Sequence, residues 1–76
     1  MKDTLRYLLE HIVENTEALS VEEQEEDRGK LFVIHAAQED IGKIIGKHGR
    51  IIRALRDLMK VMAVKHNTYV DIRIAE

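Results

Sequence analysis

Two glycines three residues apart, Gly46 and Gly49, join two apolar helical segments, and this junction constrains the chain more than any other feature. Before it, Ile41, Ile44 and Ile45 have helical spacing. After it, apolar residues recur with a helical period from about Arg50 to Lys65. Glycine accepts positive φ and lets backbone come very close to a ligand, so Gly46-Lys47-His48-Gly49 predicts a sharp reversal between the two helices. The helix that follows would aim its unsatisfied first-turn N–H groups at the turn, an arrangement suited to phosphate. Lys47 and Arg50 add positive charge there, and His48 adds a donor.

The remaining elements follow from periodicity. Leu5, Leu8, Leu9, Ile12 and Val13 predict a one-sided amphipathic helix of about three turns. Asp3 or Thr4 is positioned to cap its start, and Asn15 and Thr16 to end it. Leu19 and Val21 predict a short strand, Glu22 to Asp27 an acidic stretch facing solvent, and Asp27-Arg28-Gly29 a turn. The run Leu31-Phe32-Val33-Ile34 predicts a buried strand, forming a hairpin with the first. Glu39 and Asp40 suit a helix N-terminus, where acids meet the positive end of the backbone dipole. Tyr69 to Ile74 alternates, with Val70, Ile72 and Ile74 on one face of a last strand. The expected fold is α+β in the order α-β-β-α-α-β, three helices on one face of a three-stranded mixed sheet, as one domain over residues 1–76.

Charge separates along the chain. Residues 1–40 hold four basic against eleven acidic side chains, whereas residues 41–66 hold seven basic against Asp57 alone. The whole chain carries a formal charge of −2. A basic stripe nevertheless acts within about a Debye length, ~8–10 Å, and so can hold phosphate on an acidic protein. On a helical wheel Arg50, Arg53, Arg56 and Lys60 share an arc of about 120°. The apolar arc of the same helix is broad. Ala54, Leu58 and Val61 extend past the sector a sheet covers, which marks either a deeply buried helix or a partner surface.

Several function classes find no support. Cysteine is absent, consistent with a reducing compartment and a cytoplasmic protein. His11, His35, His48 and His66 match no metal-binding spacing, and no metal or other cofactor is expected. No nucleophile or acid–base pair forms a catalytic pattern, so neither an enzyme nor a small-molecule substrate is expected. No apolar run approaches the roughly 20 residues that span a bilayer. Three aromatic residues are few for a module that binds by base stacking.

The segment Ile45-Gly46-Lys47-His48-Gly49-Arg50-Ile51-Ile52 resembles the I-G-x-x-G-x-x-I signature of the KH family. The element order is similar to the bacterial, type II arrangement, and length and layout resemble the small stand-alone KH proteins of the KhpA group. Thr16 stands where many of these have proline. The resemblance implies single-stranded RNA as ligand, its backbone clamped by the loop and its bases in an adjacent apolar groove. Carried onto this chain, it implies RNA contact by Gly46, Lys47, His48 and Gly49, with Lys43, Ile45, Arg50 and Arg53 beside them. Ile41, Ile44, Ile45, Val33 and Ile34 are candidates for groove and core together. It also implies self-association or pairing with a larger, KhpB-like KH protein, for which Ala54, Leu58 and Val61 are the candidate seam. The group's links to small-RNA binding and to control of cell division and elongation leave two roles open: an RNA regulator or chaperone, and an assembly adaptor.

Overall fold

The computed structural model describes residues 1–75. The elements are α1 (Lys2–Glu10), β1 (Ser20–Glu26), β2 (Gly29–His35), α2 (Gln38–Ile45), α3 (Arg50–Lys65) and β3 (Tyr69–Ile74), with 3-10 turns at Thr16–Ala18 and Lys47–Gly49. β2 is the central strand, antiparallel to β1 and parallel to β3. The parallel pair requires a crossover, which α2 and α3 supply. The expected α+β architecture and mixed sheet are present.

Register explains the core. Phe32 lies beside Glu23 on one strand and Ile72 on the other, and Ile34 beside Val21 and Ile74. These apolar side chains meet Leu5, Leu9 and Val13 from the first segment, Ile44 from α2, and Ile52, Leu55, Met59 and Ala63 from α3. Full burial of each large side chain contributes about 1.5–3 kcal/mol. Leu31 and Val33 are also buried but belong to the opposite sheet face, flanked in register by Gln24 and Glu22 and by Asp71 and Arg73.

Four local expectations change. α1 begins at Lys2 with Met1 at its N-cap, so Asp3 and Thr4 lie inside the first turn and cap nothing. It also stops at Glu10 rather than Val13. The N–H groups of Glu14 and Asn15, which would continue the helix, instead donate to the Asp40 carboxylate at 3.1 and 3.0 Å. Asn15 then caps the next 3-10 turn, accepting from Ala18 N–H at 3.2 Å. The acidic stretch faces solvent as expected, but the strand is longer than expected: β1 runs through Glu26 because β2 supplies partners along its whole length. Gly29, read from the sequence as part of the turn, belongs to β2, where a Cβ would sit 2.0 Å from the Tyr69 carbonyl oxygen of β3.

Candidate nucleic-acid interface

The junction between α2 and α3 is the reversal that its glycines predict. Gly46 has φ 75° and ψ 172°, His48 φ 57°, and Gly49 φ 72°. Gly46 N–H donates to the Gly42 carbonyl at 2.9 Å, ending α2, and Gly49 N–H donates to the Gly46 carbonyl at 3.1 Å, closing the turn.

The two glycines do different work. A Cβ at Gly46 would lie 2.5 Å from Ile51 Cγ1, so this glycine lets the start of α3 seat against the loop. A Cβ at Gly49 would meet nothing within 4 Å. Gly49 thus presents bare backbone next to the first turn of α3, whose N–H groups receive no side-chain cap. Lys47, His48 and Arg50 are exposed around it. A cluster of backbone donors and cations at the N-terminus of a 16-residue helix can hold an anion.

The structure separates the basic residues by what they already hold. Lys43 is engaged at 2.5 Å with Glu14 and at 3.5 Å with Asp40. The Glu14 carboxylate is the main reason its ammonium pKa is raised. Arg56 donates from Nε and Nη2 to the Ile72 carbonyl, each at 3.3 Å, and lies 3.8 Å from Asp71. It therefore ties α3 to β3. Arg53 makes one long contact, 3.5 Å, to the His48 carbonyl, which places it beside the loop with most of its donors free.

The apolar candidates divide as well. Ile34 and Ile44 are fully buried core. Val33 is buried on the sheet face opposite Phe32 and Ile34, so neither strand residue is a groove surface. Ile41 is half-buried and Ile45 exposed, which leaves these two beside the loop. On α3 the broad apolar arc splits. Ile52, Leu55, Met59 and Ala63 are buried, while Leu58 and Val61 are 42% and 60% exposed and Ala54 is exposed with them. Ile51 is 37% exposed and joins this outer stripe.

Sequence reasoning missed the role of Asp40. It is the one buried charged side chain among the described residues, and its carboxylate holds the segment after α1 against the first turn of α2. Those N–H donors, Asn15 first, keep its pKa below the ordinary carboxylate value despite burial, and Lys43 adds to the effect. Its partners are 25 and 26 residues away, so no local pattern announces them.

Comparison with known proteins covers nearly the whole chain. The family model described as KhpA/KhpB, KH domain, matches residues 2–74. A Chlamydia caviae protein named RNA-binding protein KhpA is 37% identical over 76 residues, covering all of this chain and 97% of its own length. Proteins of the same name from Clostridium acetobutylicum and Borreliella burgdorferi are 35% and 28% identical over 74 residues, covering 97% of this chain and 99% and 90% of their own lengths. No solved structure matches. No helix among the described residues is long and apolar enough to cross a membrane.

Proposed function

The chain belongs to the KhpA/KhpB KH-domain family, and from that premise we propose that it is an RNA-binding protein whose Gly46–Gly49 loop holds the backbone of single-stranded RNA. One observation carries this reading: bare, left-handed backbone at Gly49 adjoins an uncapped helix start ringed by exposed Lys47, His48 and Arg50. Phosphates lie against Gly46, Lys47, His48, Gly49 and Arg50, and Arg53 extends the cationic track along α3. Ile45, with Ile41, offers the apolar surface for bases. Lys43 steadies α2 through Glu14 and Asp40 and reaches RNA only by leaving them. The protein acts in the cytoplasm as one KH domain over residues 1–76, as a post-transcriptional regulator or RNA chaperone without catalysis.

The test replaces the middle of the loop and spares its glycines. Lys47→Asp with His48→Asp puts two acids where phosphate would sit. Gly46 is a poor site for a probe because any side chain there unseats Ile51. The double variant is expected to keep its circular dichroism and to lose binding of single-stranded RNA in a filter assay. Unchanged binding would show that the loop is not the site.

A second feature supports self-association or pairing with a KhpB-like KH protein: the exposed stripe of Ala54, Leu58 and Val61, which no element among the described residues covers. It also favours an alternative reading, in which the chain is mainly an assembly adaptor. Leu58→Asp or Val61→Asp is expected to halve the mass in sedimentation. Under the adaptor reading these variants lose function while RNA binding persists, and under the RNA reading the loop variant loses it.

A further inference from the structure

Ile51, Ala54, Leu58 and Val61 are spaced three, four and three residues apart along α3, a pattern that reads the same in both directions about Arg56. A stripe with that symmetry fits a second copy of itself turned antiparallel. Ile51 then meets Val61, and Ala54 meets Leu58, each contact occurring twice, as a two-fold interface requires. Charge agrees with this register. Asp57, the single acid of α3, would lie on the same flank as Arg53 of the second copy and about 3 Å from it along the axis, two residues at ~1.5 Å each.

The same register carries a consequence for the loop. Lys65 is exposed at the end of α3 and lies on the wheel in line with the stripe. Within one copy it is 15 positions from Arg50, the first residue of α3, roughly 22 Å along the axis. In the antiparallel pair it extends about 4–5 Å past Arg50 of the other copy, toward that copy's glycine loop. We propose that the RNA site is composite: the glycine loop of one copy is completed by Lys65 of the second copy, and Val61 of the second copy covers the Ile51 side chain on which Gly46 rests. This rests on both the RNA reading and the seam reading above. The convergence of two lysines opposes pairing until an anion lies between them. RNA and dimer therefore strengthen each other, by the same factor in each direction.

The experiment is complementation with a single-stranded RNA tetranucleotide of mixed sequence, a length that one KH loop accommodates. Binding is read by amide chemical-shift titration, and mass by sedimentation. Lys65→Ala is expected to lower affinity roughly tenfold, the loss of one charge-assisted contact. The variant Lys47→Asp with His48→Asp is expected not to bind. Mixing the two variants forms dimers in which an intact loop faces an intact Lys65, so tetranucleotide affinity returns to that of the unchanged protein at one site per dimer. Tetranucleotide is also expected to tighten the unchanged dimer. Mixed dimers that bind no better than Lys65→Ala overturn the composite site and leave the loop reading standing. A sample that sediments as monomer overturns the seam and the composite site together. Failure of the unchanged dimer to bind overturns the RNA reading itself.

Discussion

Gly46→Ala tests whether the loop is shaped by packing as well as by backbone conformation. At φ 75° and ψ 172° the residue occupies a region nearly reserved for glycine, where a side chain costs about 1–3 kcal/mol. The new Cβ would also press on Ile51 at 2.5, 2.8 and 2.9 Å, and overpacking of this kind costs about 1–3 kcal/mol. Together these give roughly 2–6 kcal/mol, against a total of roughly 4–11 kcal/mol for a domain this size at ~0.05–0.15 kcal/mol per residue. Gly49→Ala meets open space and carries only the left-handed penalty, about 1–2 kcal/mol. At about 4–8 °C per kcal/mol for a small domain, the Gly46 change lowers the melting temperature well beyond the Gly49 change. Urea unfolding at one fixed protein concentration measures both. Ile51→Ala supplies the decisive arm, because it removes the nearest atom that Cβ would strike, Cγ1, together with Cδ1, and leaves only the Cβ of residue 51 in reach. In that background Gly46→Ala is expected to shed the larger part of its overpacking cost, about 1–2 kcal/mol, a coupling that a double-mutant cycle isolates. Equal costs at the two glycines, or no coupling to Ile51, would refute the reasoning.

Two further outcomes follow from the contacts. Asp40 has a lowered pKa, chiefly through the Asn15 and Glu14 N–H donors, so the unfolded chain takes up its proton more readily than the folded one. Its contribution to stability is complete above the unfolded carboxyl pKa, about 3.9, and is lost as pH falls through the lower folded value. Asp40→Asn is therefore expected to lower the urea midpoint at pH 7 and to flatten the acid limb, with the gap to the unchanged protein closing as pH falls below the ordinary carboxylate range. On α3, Arg53→Ala is expected to leave stability alone and to reduce the slope of log affinity against log salt by roughly 0.7. Arg56→Ala is expected to keep that slope and to cost about 1 kcal/mol of stability, because the Ile72 carbonyl loses its donors.

Much of the molecule was legible in the linear chain because its signals are local. The alternation of Val70 and Ile72, the run from Leu31 to Ile34, and the glycines at 46 and 49 each encode their geometry within a few residues. The boundaries that shifted did so for non-local reasons. α1 ends early because Asp40, far along the chain, takes the next two N–H groups, and β1 extends through its glutamates because β2 lies beside it. The candidate site divides in the same way. The loop and its charges follow from the order of residues. Which charges are free was decided by the fold, since only packing brings Lys43 to Glu14 and Arg56 to the β3 backbone.

The sequence alone determined the element order, the reversal at Gly46–Gly49, and the concentration of positive charge around it, because these depend on neighbours. The tertiary structure decided that Gly46 exists for Ile51 while Gly49 lies open, and that Ile34 and Val33 line no groove. It also decided that Ile51, Ala54, Leu58 and Val61 face outward together. The physical reason is that a helical wheel shows which residues share a side, whereas the width of what packs against that side sets where the core stops.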